Sequence, residues 1–259
     1  MKKLKNILSA AAVSLILSGV GVGGALAAGG GTEPPRHEWS FYGLFGTFDR
    51  AALQRGYRVY KEVCAACHGM KYIAFRNLVD IGFTQAEAKA LAEEFEVAGE
   101  PDEYGDPTTR SARLSDSFPS PFPNPQAARA ANGGALPPDL SLISKARDYG
   151  PDYIRGLMVG YKDAPADVEM APGMNYNEYY AGNQIAMAAP LVDDLVEYGD
   201  DTEATVEQMA EDIATFLHWA AYPELERRHS LGFQVLVFLI LLTGLFLIVK
   251  QRVWSKLDH

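Results

Sequence analysis

The run "VCAACHGM", residues 63 to 70, constrains this chain more than any other feature, because it spends both cysteines within four positions and sets a histidine directly after them. Any fold built around it must bring one short turn of backbone against whatever the two sulfurs and the imidazole hold. Three chemistries use such a cluster: a redox disulfide, half of a zinc site, or a covalent c-type haem held through two thioethers with the histidine as axial ligand. Zinc needs about four ligands at tetrahedral geometry. The other histidines, His37, His218, His229 and His259, are scattered and have no partner spacing. A thioredoxin-type pair opens a helix after a strand, whereas "DRAALQRGYRVYKEV", residues 49 to 63, reads as helix before the pair is reached. One helical turn bearing Cys64, Cys67 and His68 can reach both haem vinyl groups and set an imidazole under the iron, so haem c is the favoured cofactor.

Both ends of the chain carry membrane signals. Lys2, Lys3 and Lys5 precede an apolar run from Ile7, and Ala25 to Ala27 form a small-x-small cleavage site, so residues 1–27 are read as a cleaved signal peptide. Export fits the haem reading, since haem is attached to such motifs outside the bacterial plasma membrane. From Leu231 to Val249, "LGFQVLVFLILLTGLFLIV" holds 19 residues without a charge, about 28 Å of helix against a hydrocarbon thickness of about 30 Å. Lys250, Arg252 and Lys256 follow it, with Trp254 at interface depth, which suits a cytoplasmic end. The expected organisation is a periplasmic haem domain over 28–230, a transmembrane anchor over 231–249 and a cytoplasmic tail over 250–259. Arg227 and Arg228 on the other flank weaken the charge bias, but the cleaved signal already places the domain outside.

Charge bears on the partners. The chain has 23 basic and 33 acidic residues, and setting aside the basic residues of the two ends together with Asp258 leaves 17 against 32, a net charge of −15. Such a field repels nucleic acid and favours encounter with a basic partner.

The expected fold class is mainly α with long irregular loops. Leu53, Tyr57, Tyr60 and Cys64 fall at helical spacing in a helix starting near Asp49. "TQAEAKALAEEFEVAG" reads as a second helix, with a capping box in Thr84 and Glu87 and a stop at Gly99. Between Pro101 and Asp139 lie eight of the fifteen prolines, which predicts a long ordered loop. Residues 148–160 read as a short helix and 163–200 as mostly loop. The last helix before the anchor spans Thr205 to about Ala221, with a second capping box in Thr205 and Gln208. Its apolar stripe is Val206, Met209, Ile213, Phe216, Leu217 and Ala220, and it places His218 on the opposite, solvent side.

An open sixth iron position favours gas binding or peroxide chemistry, while a second ligand leaves electron transfer. Methionine is the better ligand class, because a soft thioether stabilises ferrous iron. Met70 is too near His68 and Met209 lies on the core stripe. Met158, Met170, Met174 and Met187 remain, and spacing does not choose among them.

The stretches "RGYRVYKEVCAACHGM", "NPQAARAANGGALPPDLSLI", "NQIAMAAPLVDD" and "TVEQMAEDIATFLHWAAYPE", followed by one C-terminal anchor, resemble the cytochrome c1 family in order and over the whole mature chain. The resemblance implies a class I-like cytochrome c domain in which Met187 of "IAMAAPL" is the axial methionine opposite His68. It implies that Arg129 supports a haem propionate, and that a proline carbonyl of "LPPDL", Pro137 or Pro138, accepts the free N–H of His68. Some bacterial members brace the loop before the methionine with an extra cysteine pair; this chain has none, so its loop from Asp163 to Ile185 is expected to be held by packing alone. The function implied is single-electron transfer from the Rieske iron–sulfur subunit to a soluble c-type cytochrome. The setting implied is a dimeric quinol:cytochrome c oxidoreductase, with the anchor packed beside cytochrome b. Competing readings are a free-standing tethered cytochrome and an open-site haem enzyme or sensor.

Overall fold

The computed structural model describes residues 32–255. The signal-peptide reading, Lys256, Asp258 and His259 therefore lie outside the described residues.

Helix α1 (Arg50–Glu62) begins where Asp49 accepts backbone N–H bonds from Ala51 and Ala52, relieving orphan donors of the first turn. Leu53, Tyr57 and Tyr60 fall on its buried face. A 3₁₀ turn (Cys64–Ala66) follows directly, and a longer 3₁₀ helix (Phe75–Ile81) ends at Gly82, whose φ of 102° is open to glycine but strained for other residues.

Helix α2 (Gln85–Glu93) has the expected capping box: the Glu87 N–H donates to Thr84 Oγ1, and the Glu87 carboxylate accepts from the Thr84 N–H at 2.7 Å. It stops six residues before Gly99, however, and after a short turn the predicted helix gives way to strand. β1 (Glu96–Ala98) pairs antiparallel with β2 (Thr109–Ser111), Val97 opposite Arg110. Phe95 and Val97 favour extended backbone, and Phe95 lies with its ring centroid 5.2 Å from that of Phe75 in the core. The proline-rich stretch is likewise more structured than a loop. It contains β2 and helix α3 (Pro125–Ala131), which Asn124 caps through the Ala127 N–H and Pro125 opens.

Helices α4 (Ile143–Ala146) and α5 (Pro151–Val159) lead to a long irregular segment with one small ladder, β3 (Asn175–Tyr176) against β4 (Gln184–Ile185). Helix α6 (Val206–Ala221) is the centre of the domain, packing on α1, α5 and α4. Its apolar stripe is buried as predicted, apart from half-buried Val206, but so is most of its other side. His218 is therefore buried rather than solvent-facing: its ring stacks on Phe41 at 4.5 Å and its Nδ1 lies 2.8 Å from Ser144 Oγ. A helical projection ranks sides by apolarity, and it missed this one because the segment before α1, with Trp39, Phe41 and Phe48, covers it. The N-terminal cap of α6 is also simpler than predicted. Thr205 accepts from the Gln208 N–H, but the Gln208 side chain donates forward to Asp212 instead of back to the cap.

The crossing of α1 and α6 depends on Gly56, where a Cβ would overlap the Asp212 carbonyl and lie 2.7 Å from the Phe216 Cβ. Beside it, Arg55 makes a two-pronged ion pair with buried Asp212 at 2.9 and 3.0 Å and reaches Asp200 with its third nitrogen.

Helix α7 (Leu225–Trp254) is apolar over most of its length and has no buried residue, which removes the reading of a core helix. Glu226 joins it to the domain, accepting from the Phe48 N–H and from Arg50, both at 2.7 Å.

Candidate functional site

The two cysteines sit on the turn that ends α1. The Cys67 and His68 N–H groups both donate to the Cys64 carbonyl, at 3.1 and 2.9 Å, which curls the chain so that Cys64, Cys67 and His68 share one turn. No disulfide joins the two cysteines. Burial, with a smaller contribution from Cys67, pushes the Cys64 thiol up to about 12. A dithiol oxidoreductase needs the opposite, a depressed thiol that is already thiolate at neutral pH. Among the described residues no group of three or more His, Cys, Asp or Glu side chains converges.

His68 is half-buried, and its Nδ1 lies 2.8 Å from the carbonyl oxygen of Pro138. In the tautomer that bond selects, Nδ1–H donates and Nε2 keeps a free lone pair for a metal. Burial lowers the pKa of His68, partly offset by the Pro138 bond, so the ring is neutral and ligand-competent at pH 7.

The Pro138 carbonyl is held there by a seam between residues 68–72 and 138–141. Leu140 N–H donates to the Gly69 carbonyl, Lys71 N–H to Asp139 Oδ2 and Tyr72 N–H to Ser141 Oγ, all between 2.9 and 3.1 Å. Asp139 also accepts from the Ser141 N–H with its other oxygen. Sequence reasoning found the prolines but missed Asp139, although an Asp after Pro-Pro is a turn signal.

Met187 lies two residues beyond β4. Its carbonyl accepts from the Tyr161 hydroxyl at 3.1 Å and from Asn175 Nδ2 at 3.3 Å. The preceding loop, expected to rely on packing, is instead tied by hydrogen bonds that converge on fully buried Asn177. Asn177 Nδ2 donates to the Leu157 carbonyl, its Oδ1 accepts from the N–H groups of Tyr179 and Tyr180, and Asn183 donates back to the Asn177 and Glu178 carbonyls. Asparagine supplies donor and acceptor together, so one side chain ties several segments of the loop. Of the other methionines, Met70 and Met209 are buried in the core, Met158 packs against it, Met170 is half-buried and Met174 is exposed. Arg129 is exposed on α3 and spends one guanidinium N–H on the Gly134 carbonyl at 2.9 Å, within its own loop.

The donor set fits a haem: two cysteine sulfurs on one turn, an imidazole with one nitrogen already bonded to a carbonyl, and a thioether in a tied loop. A mainly helical domain with this turn and this supported histidine defines a c-type cytochrome, here with one helix long and apolar enough to cross a membrane. The model of the cytochrome C1 family matches residues 39–257, so the chain belongs to the cytochrome c1 family. It is 44% identical over 272 residues to cytochrome c1 of Rhodospirillum rubrum, covering 99% of this chain and 98% of that one. It is 53% identical over 226 residues to the mitochondrial "cytochrome c1, heme protein" of Saccharomyces cerevisiae, with 87% and 73% covered. To the mitochondrial "cytochrome b-c1 complex catalytic subunit" of Candida albicans it is 52% identical over 230 residues, with 88% and 80% covered.

Proposed function

We propose that this chain carries one covalent haem c and serves as the electron-output subunit of a quinol:cytochrome c oxidoreductase. It would receive single electrons from the Rieske iron–sulfur subunit and deliver them to a soluble c-type cytochrome. When bound, the haem supplies a one-electron iron couple. Everything else is the work of the protein. Cys64 and Cys67 would hold the cofactor by thioethers, His68 would ligate through Nε2 with its tautomer set by Pro138, and Met187 would close the opposite side. Arg129 would pair a propionate with its remaining N–H groups.

The observation that carries the reading is the His68–Pro138 bond, because a ring nitrogen committed to a backbone carbonyl fixes the tautomer and leaves the lone pair of the other nitrogen free to ligate a metal. The names of the relatives add haem and the b-c1 complex. We further propose that residues 1–27 are a cleaved signal, that 28–230 is a periplasmic domain, and that 231–249 spans the plasma membrane beside cytochrome b in a dimeric complex, with 250–259 cytoplasmic.

The deciding experiment is the visible spectrum of the reduced protein with and without carbon monoxide, for the parent and for Met187→Leu. A low-spin parent that ignores carbon monoxide, beside a variant that binds it, supports electron transfer through a closed iron. Binding by the parent would mean an open-site haem protein. Copurification with cytochrome b and the iron–sulfur subunit tests the assembly, and its failure would favour a free-standing tethered cytochrome.

A further inference from the structure

The segment before α1 contains a tight turn with an unusual exterior. Leu44 and Phe45 at its tip are each 74% exposed, with Tyr42 beside them. This is not a loose loop that happens to carry apolar residues. Thr47 N–H donates to the Ser40 carbonyl at 3.0 Å and Tyr42 N–H to the Trp39 carbonyl at 3.1 Å, closing the turn. Gly43 adopts a φ of 84° that suits glycine, and a Cβ on Gly46 would overlap the backbone of Phe41 and Tyr42. Behind the tip, Trp39, Phe41 and Phe48 are buried in the core. The fold thus holds two large apolar side chains outward on a rigid mount.

The direction in which they point is set by helix α7. The Phe45 ring centroid is 5.8 Å from that of Phe233, and His229 Nδ1 lies 3.1 Å from the Gly46 carbonyl. Phe233 is two residues inside the uncharged run that begins at Leu231, about 3 Å deeper along the axis at 1.5 Å per residue. Just outward of that run lie Arg227 and Arg228, and Glu226 bonded to Phe48 and Arg50. The apolar surface of the helix therefore continues onto the tip of the turn, and the charged residues lie above both, the layering of a membrane–water boundary.

We propose that residues 42–46 form a membrane foot: Leu44 and Phe45 insert among phospholipid acyl chains at the entry of α7, and fix the tilt of the domain on the bilayer surface. This rests on the reading of α7 as a transmembrane helix, and the test separates the two. A photoreactive benzoylphenylalanine is placed singly at Leu44, at Leu236 within the apolar run and at Tyr104, which is 82% exposed on the β1–β2 connection. Each full-length holoprotein, with its complex, is irradiated in native membranes, and the adducts are weighed by mass spectrometry. The expected result is a phospholipid adduct at Leu44 and Leu236 and its loss at Tyr104. Lipid capture at Leu236 with none at Leu44 overturns the foot. Capture of protein alone at Leu44 also overturns it, and assigns the turn to a subunit interface. If Leu236 captures neither lipid nor cytochrome b, the transmembrane reading falls and the foot with it.

Discussion

At the scale of single residues, the histidine buried for structure and the asparagine buried for bracing make the sharpest predictions. His218 faces Ser144 and the rings of Phe41, Phe48, Tyr42 and Tyr222, and burial lowers its pKa from 6.5 to about 4. Its folded pKa lies below the unfolded one, so the unfolded chain takes the proton first on acidification. Stability is then lost as pH falls from 6.5 toward 4, by up to roughly 3 kcal/mol. Urea unfolding at pH 7 and pH 5 should show the loss, and His218→Gln should flatten the slope. Asn177→Ala removes a donor and two accepted bonds from a buried site and is expected to cost roughly 3 kcal/mol. In the same variant the ferrous protein should begin to bind carbon monoxide, since the Met187 loop loses its brace; a destabilised variant that still excludes carbon monoxide would show that the brace serves the fold and not the ligand. Spacing alone singled out Cys64, Cys67 and His68 as the proposed haem attachment, because a Cys-x-x-Cys-His turn admits few alternatives. Met187 is proposed only through the family resemblance, and Asn177 was not singled out at all, since its bond to the Leu157 carbonyl crosses 20 residues with no sequence period.

Among the elements, caps and stripes were legible and coverage was not. Asp49, Thr84 and Thr205 each mark a helix start, because the side-chain oxygen and the orphan N–H it satisfies are neighbours in sequence. The end of α2 was misjudged because Gly99 is a valid stop signal, yet Phe95 and Val97 gain more by packing on Phe75 and pairing with β2 than by continuing the helix. The sequence also hid the meaning of Gly56, which inside a helix reads only as a weak helix former. At the α1–α6 crossing it is the point of closest approach, so Gly56→Ala should destabilise the domain by about 1–3 kcal/mol despite its better helix propensity. The check is thermal unfolding beside an alanine at exposed Arg58, which should change little. A stable Gly56→Ala protein would mean that α1 can slide on α6.

On the scale of the whole molecule, charge and mounting matter most. With the basic residues of the two ends and Asp258 set aside, the chain carries 17 basic against 32 acidic residues, a surplus that should attract a basic acceptor at long range. The second-order rate of electron delivery to a basic c-type cytochrome should fall steeply from about 10 mM to about 150 mM salt, as the screening length shrinks from about 30 Å to about 8 Å. Stopped-flow traces with a basic and an acidic acceptor would check it, and equal salt dependence for both would refute the steering argument. The mounting follows from the short passage between α6, which ends at Ala221, and α7, which begins at Leu225. With Glu226 clasping Phe48 and Arg50 across it, the domain has no slack line on which to drift. It stands like a lamp bolted to its post, so in the proposed role the reach of the electron relay would have to come from its two partners, and lengthening that joint would blur an address both of them depend on finding.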